Sequence, residues 1–354
     1  MTAIDFIPRR ILVLRPRGLG DVVLASAVID ALRRAYPNVA LDFISAEPAR
    51  ALLEADARIE RVFLLSPKRG RSGRVQSGMM AECIAWMRRL PADVAIDLFS
   101  NPRTALLTAF SGAGVRVGLA KRARQFAYNV RVPRFRGRPE DDHRWACDVM
   151  LDSLRFAGVR WEGEASLSVA LEEEDRVFAR HAPAAVGLAE DAPFAAILPG
   201  GSWRSKRWAA ESFAHVARRL AAETGSPAVV MWGPPEADDA RAIAERSGAR
   251  LAPPSRIREM AALLGRARIL VSTDCLGRHL AIAQGVPTVG VFGPTDPRHW
   301  TPRQGMHIAL RAPASSGFDM HALDPDPVAE AAVSLWFAQE RKTGEVLDAP
   351  GRGI

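Results

Sequence analysis

At 354 residues the chain is too long for one ordinary core and fits two domains of common size, and 48% hydrophobic with 25% charged residues excludes a disordered polymer. Cys83, Cys147 and Cys275 have neither disulfide-framework nor zinc-site spacing, which points to a reducing compartment; residues 1–10 lack the apolar core of a signal peptide, and no run approaches the roughly eighteen apolar residues of a membrane span, so a cytosolic location is expected. The net charge of +8 is unevenly spread: residues 1–170 hold 27 Lys+Arg against 18 Asp+Glu, and residues 171–354 hold 21 against 22, so the first half either meets an anionic partner or reflects an arginine-rich codon bias.

Residues 10–15 (RILVLR) read as a buried strand, followed by a tight glycine loop and a helix whose apolar side includes Val22, Val23, Ala27, Ile29, Ala31 and Leu32 and which Pro37 ends. Strands are expected at 39–45, 62–65 and 94–98, with helices at 49–55 and 81–90. This alternation predicts a parallel sheet covered by helices on both faces. Residues 115–138 carry eight basic and no acidic residues, and a helix is expected from His143 to Gly158. The acidic, alanine-rich stretch 172–192 has helical character early on and is expected to contain the domain boundary, with 173–192 as the linker. The alternation then repeats: strands at 194–198, 228–232, 269–272 and 288–292, and helices at 210–223, 237–246, 257–265, 277–284 and 327–339. The expected fold is therefore α/β, two successive Rossmann-like domains facing across a cleft. The domains are set at 1–172 and 193–325, with a C-terminal helix at 326–342 packing back on the first domain and a disordered tail at 343–354.

Three loops can carry chemistry. In the first, Arg17-Gly18-Leu19-Gly20-Asp21, glycines at a strand end let backbone approach a ligand closely, although the spacing is not that of a dinucleotide fingerprint. Asp21, at the helix start, reads from spacing alone either as a helix cap or as a general base, and capping is the commoner role. In the second, 200–208 (GGSWRSKRW), Gly200, Gly201, Ser202 and Lys206 suit a phosphate, because backbone N–H groups and a hydroxyl donate while an ammonium neutralises; no Walker pattern is present. The third, 272–279 (STDCLGRH), runs from a strand end into a helix whose unpaired N–H groups would suit a diphosphate. Asp274 could hold sugar hydroxyls, and His279 would either face the ligand or pack inside. The seven histidines show no metal-ligand spacing, so no metal is expected. Nucleic acid is an unsuitable partner, because the basic residues lack interleaved aromatics.

From about residue 10 to residue 337 these pieces together resemble the family nine glycosyltransferases, the lipopolysaccharide heptosyltransferases. The motifs are ILVLRPRGLGDVVLASAVIDALRRAYP, Asp97-Leu98 with Arg103, Val115-Arg116-Val117-Gly118, His143, LPGGSWRSKRW, MWGPPE and STDCLGRHLAIAQGVPTVGVFGPTDPRHW. The resemblance implies the GT-B arrangement, with an acceptor-binding first domain and an ADP-sugar-binding second domain. It makes Asp21 the catalytic base, Lys206 the phosphate-binding lysine and Glu236 the ribose-binding glutamate. It gives Asp274 the sugar and His279 the histidine five residues on, with Cys275, Leu276 and Gly277 between them. Gly201 and Ser202 stand at phosphate-side hydroxyl positions, where only Ser202 keeps a hydroxyl. Where the family has Asp-Ser/Thr-Gly before that histidine, this chain has Asp274-Cys275-Leu276-Gly277.

The expected activity is inverting, metal-independent and cofactor-free transfer of heptose from ADP-heptose. The expected acceptor is an anionic glycolipid of lipopolysaccharide-core type. A monomer is expected, bound peripherally at the cytosolic face of the inner membrane. Gly18, Gly20, Lys68, Arg69, Arg71, Lys121 and Arg122 would hold the acceptor. The alternatives are another donor or acceptor, or a nucleotide-sugar-binding protein that has lost catalysis.

Overall fold

The computed structural model describes residues 4–120, 122–133, 144–201 and 203–347, with the side chains of Arg122, Glu340 and 342–347 excepted. The chain forms two compact units, residues 1–170 and 171–354.

In the first unit, β1 (Arg10–Leu14), α1 (Leu19–Ala35), β2 (Ala40–Ala46), α2 (Arg50–Glu54) and β3 (Arg61–Leu65) lead into a short hairpin of β4 (Gly70–Ser72) and β5 (Val75–Gly78). Then follow α3 (Met80–Arg89), β6 (Val94–Asp97), α4 (Pro102–Phe110), β7 (Val115–Leu119), β8 (Val130–Val132) and α5 (Ala146–Phe156). The sheet order is β4-β5-β3-β2-β1-β6-β7-β8, parallel except for the hairpin. Central strands such as RILVL are apolar along most of their length because helices cover both sheet faces. The chain steps outward from β1 through β2 to β3, then restarts on the other side at β6. The carboxyl ends of β1 and β6 therefore flank the topological switch point, where such sheets place ligands.

The second unit holds α6 (Glu173–Ala185), β9 (Ala195–Leu198), α7 (Ala210–Thr224), β10 (Ala228–Val230), α8 (Ala237–Ser247), β11 (Arg250–Leu251) and α9 (Ile257–Leu264). It continues with β12 (Ile269–Thr273), α10 (Leu276–Ala283), β13 (Thr288–Phe292), α11 (Pro297–Trp300), β14 (His307–Arg311) and α12 (Pro325–Leu347). Its all-parallel order, β11-β10-β9-β12-β13-β14, repeats the same logic and sets the switch point between β9 and β12.

The structure refines the expected boundaries. The helical character expected early in 172–192 appears as α6, so 173–192 is not a bare linker. Asp175, Ala179, Ala182 and Pro183 recur at helical spacing and bury one face of α6, which packs on α9. Arg258 on α9 anchors it, through Glu172 at 2.6 Å and the buried Asp175 at 3.0 Å. The acidic residues that suggest a linker are the first turn of a helix, where carboxylates suit the dipole. The C-terminal helix places its apolar face in the core of its own unit. Val328, Ala329, Ala332, Val333, Leu335 and Trp336 join the cluster of β9, β12, β13 and α7. That helix also runs on to Leu347 where a disordered tail was expected from 343; residues 348–354 lie outside the described residues. The expected helix 143–158 appears as α5, and His143 lies outside the described residues.

Candidate active site

In the first unit the loop after β1 turns at Gly18, whose φ of 79° lies in the left-handed region. A Cβ at Gly18 would stand 2.4 Å from Asp21 Oδ2, so glycine is required both by the backbone and by the carboxylate lying against it. Gly18 itself is the cap of α1 and no side chain caps that end, which leaves Gly20 and Asp21 inside the first turn. Asp21 is not the helix cap that spacing alone favours. Its Oδ2 receives Arg15 Nη2 at 2.5 Å, and the Asp21 side chain keeps about a quarter of its surface exposed.

Arg15 is buried, lies over the Phe99 ring at 4.7 Å and donates to Leu98 O at 3.4 Å. Burial pulls its guanidinium below the ordinary value, and Asp21 opposes that shift. Across the switch point, Asp97 at the end of β6 is fully buried. It accepts from Ser100 N at 2.7 Å, Phe99 N at 3.0 Å and Tyr128 Oη at 2.7 Å. Burial pushes this carboxyl up against the pull of those donors. The turn it caps holds Ser100 at φ 52°, a conformation that costs a non-glycine residue free energy and that this network enforces.

The residues expected at the acceptor end divide. Lys68 and Arg69 follow β3 on the same sheet edge as Asp21, and Arg71 lies on the exposed β4. Arg69 pairs with Glu82, so its charge is partly spent inside the fold. Arg122 opens the turn after β7, again at that edge, while Lys121 lies outside the described residues.

In the second unit the loops after β9 and β12 meet. Lys206 Nζ donates to Asp274 Oδ2 at 2.6 Å, and Asp274 is buried. The Thr273 hydroxyl donates to Gly200 O and ties the two loops together. Gly201 has φ 148°, which favours glycine, and Ser202 lies outside the described residues. Cys275 caps α10, and burial pushes its thiol up to about 11.

The altered 274–277 stretch has a steric logic. A Cβ on Gly200 would lie 2.7 Å from Cys275 Sγ, and one on Gly277 would lie 2.3 Å from Leu198 Cδ2. The sulfur thus fills the space left by one glycine, and the other lets α10 press on β9; Leu276 opens the helix between them. His279 is buried with Nδ1 unpartnered, and burial pulls its imidazole down to about 4, so it is neutral at physiological pH. Glu236 follows β10, at the cap position of α8, and its Oε2 folds toward Gly233. Burial pushes its carboxyl up while Arg207 opposes.

Sequence reasoning singled out Asp97 by motif but missed its contact with Tyr128, and it missed Arg15, Arg278 and Trp300. Arg15 carried a signal, a cation closing an otherwise apolar strand; the others depend on partners far away in sequence. Among the described residues no three His, Cys, Asp or Glu side chains converge as a metal site, and no helix is long and apolar enough to cross a membrane.

The family model described as glycosyltransferase family 9 (heptosyltransferase) matches residues 83–326. The lipopolysaccharide heptosyltransferase 1 of Pseudomonas aeruginosa is 26% identical over 293 residues, covering 81% of this chain and 79% of the relative. Its Escherichia coli K12 counterpart is 24% identical, covering 81% and 89%. In fold, a glycosyl transferase family 9 structure from Veillonella parvula superposes with a TM-score of 0.78 at 23% identity, covering 96% of this chain and all of that one. The E. coli ADP-heptose lipopolysaccharide heptosyltransferase II does so at 0.73 and 18%, covering 94% and 99%. The GT-B fold and the family match over residues 83–326 together place this chain in glycosyltransferase family 9, and it is a glycosyltransferase.

Proposed function

We propose that the chain moves heptose from ADP-heptose to an anionic glycolipid of the lipopolysaccharide core, with inversion and without a metal or cofactor. The observation that carries this reading is the pairing of chemistries at the two switch points. A carboxylate about a quarter exposed, Asp21, is held by a buried arginine in one unit, and an ammonium–carboxylate pair, Lys206–Asp274, stands in the other. The names of the relatives supply the sugar and the lipid.

Asp21 takes the proton of the acceptor hydroxyl as that oxygen attacks the anomeric carbon. The bond from that carbon to the diphosphate oxygen breaks, and the electron pair leaves with the nucleoside diphosphate. Lys206, the Ser202 hydroxyl, the Gly200–Gly201 backbone and the N–H groups opening α10 at Cys275, Leu276 and Gly277 meet the charge that develops there. Donor binding draws Lys206 toward the phosphates, and Asp274 accepts from the sugar hydroxyls. Glu236 takes the ribose. Gly18 and Gly20 bring acceptor backbone contacts close, while Lys68, Arg69, Arg71, Lys121 and Arg122 pair with the acceptor's anionic groups. The protein acts as a monomer on the cytosolic membrane face.

The test is turnover on a panel of ADP-, UDP- and GDP-sugars with a lipopolysaccharide-core acceptor. Transfer from ADP-heptose above all others is expected. Faster transfer from another nucleotide sugar would reassign the donor, and transfer only to a non-lipid acceptor would reassign the acceptor.

A further inference from the structure

The indole of Trp300 stands beside the Lys206–Asp274 pair. Its centroid is 5.9 Å from Lys206 Nζ, within cation–π range, and 6.0 Å from the His279 ring at a tilt of 54°. Trp300 closes the single turn α11 and is only half-buried, so part of its ring surface is open.

The segment behind it is fixed by Arg278, which has no exposed surface. Arg278 Nη1 donates to Trp300 O at 2.7 Å, Nη2 donates to Thr301 Oγ1 at 3.2 Å, and the guanidinium lies over Phe292 at 5.3 Å. Gly290 on β13 makes the room, since a Cβ there would come within 2.6 Å of Arg278 Nε. That Nε has no hydrogen-bond partner, and burial pulls the guanidinium down to about 10. Burying a cation this incompletely satisfied costs stability, and an apolar side chain would fill the same space without that cost. What the arginine supplies instead is two hydrogen bonds to residues 300 and 301.

The strand order says which end of a donor this ring would meet. Glu236 follows β10 and Trp300 follows β13, and these strands lie on opposite sides of the β9–β12 switch point. With ribose on the β10 side and the diphosphate at Lys206, the transferred sugar extends toward β13.

We propose that Trp300, clamped from behind by Arg278, is the aromatic wall of the donor site and takes the apolar C–H face of the transferred sugar ring. This rests on the reading that Lys206 and Asp274 hold the donor. A pyranose offers one face of C–H groups, and aromatic side chains in ligand pockets supply flat apolar surface for such a face while polar groups fix the hydroxyls. Arg278 is a positioning residue that acts through Trp300.

The experiment is calorimetry with ADP and with ADP-heptose on Trp300→Ala, Trp300→Phe, Arg278→Lys and Lys206→Ala, together with donor kinetics. Trp300→Ala is expected to bind ADP within about twofold of wild type and ADP-heptose at least about tenfold more weakly, the scale of one lost aromatic contact. The donor KM should rise in step, kcat should change less, and Trp300→Phe should recover most of the loss. Arg278→Lys should show the same sugar-selective pattern. Trp300→Ala with both affinities unchanged, or with both lost equally, would overturn the proposal. Lys206→Ala separates the two levels: if it weakens ADP while Trp300→Ala changes nothing, only the sugar wall fails. Unchanged ADP affinity in Lys206→Ala, or no ADP-heptose binding by the wild type, would remove the donor reading and the proposal with it.

Discussion

Apart from the β4–β5 hairpin, the two units share one strand order, and they differ in what stands at its switch point. In the first, a left-handed glycine at 18 and a buried arginine at 15 hold a single carboxylate that stays partly open. In the second, the segments after β9, β12 and β13 bring together an ammonium, a buried carboxylate, a neutral buried imidazole and an indole. The first arrangement suits proton removal, because its carboxylate is accessible and oriented. The second suits a charged donor, because its ammonium can pass from Asp274 to a phosphate. Shared topology fixes where the sites lie, and the loop residues decide what each one does.

The difference can be broken most sharply at Asp21. Asp21→Asn keeps an oxygen that accepts from Arg15, so the fold should persist, but an amide offers no basicity to the acceptor hydroxyl. Turnover with ADP-heptose and the core acceptor should fall by about a hundredfold to ten-thousandfold, the usual contribution of such a base. Wild-type turnover in this variant would leave Asp21 a structural partner of Arg15 and no more.

A smaller effect follows from the charge contrast between the halves. Since the surplus cations lie within residues 1–170, co-sedimentation with anionic vesicles should fall steeply as salt rises, at about 1 kcal/mol per engaged side chain at low salt. Equal binding to neutral and anionic vesicles would trace the surplus to codon bias.

A further effect is a pH slope contributed by two histidines of the second unit. His279 and His307 are both pulled by burial to about 4 from an ordinary value of 6.5. Between those values the unfolded chain binds protons that the folded chain refuses. The stability these two histidines contribute should therefore be flat above pH 6.5, fall as pH drops toward 4, and level off below. His307→Asn should make that slope shallower in denaturant melts at stepped pH, and an unchanged slope would place the titration elsewhere.

Much of the fold was legible in the sequence, because buried parallel strands read as apolar runs and covering helices as periodic stripes. RILVL and the apolar side of α1 show this directly. The β4–β5 hairpin was not legible, since Gly70, Arg71 and Ser72 are all exposed and carry no apolar alternation. Nor was the placement of α6 and α12, whose apolar faces are plain but whose docking surfaces are a long-range matter. At the site, the glycines and Lys206 could be picked out by type and position. Asp21's partner, the Asp97–Tyr128 contact and the Arg278–Trp300 clamp could not, because each joins residues that only the fold brings together.

The claim that the two switch points divide the work is tested most directly by the ADP affinity of two variants measured side by side in the calorimeter. Asp21→Asn should bind ADP as the wild type does, while Lys206→Ala should bind it about 1–3 kcal/mol more weakly, the range for losing a charge-assisted contact. Equal loss in both variants, or full affinity in Lys206→Ala, would contradict the division.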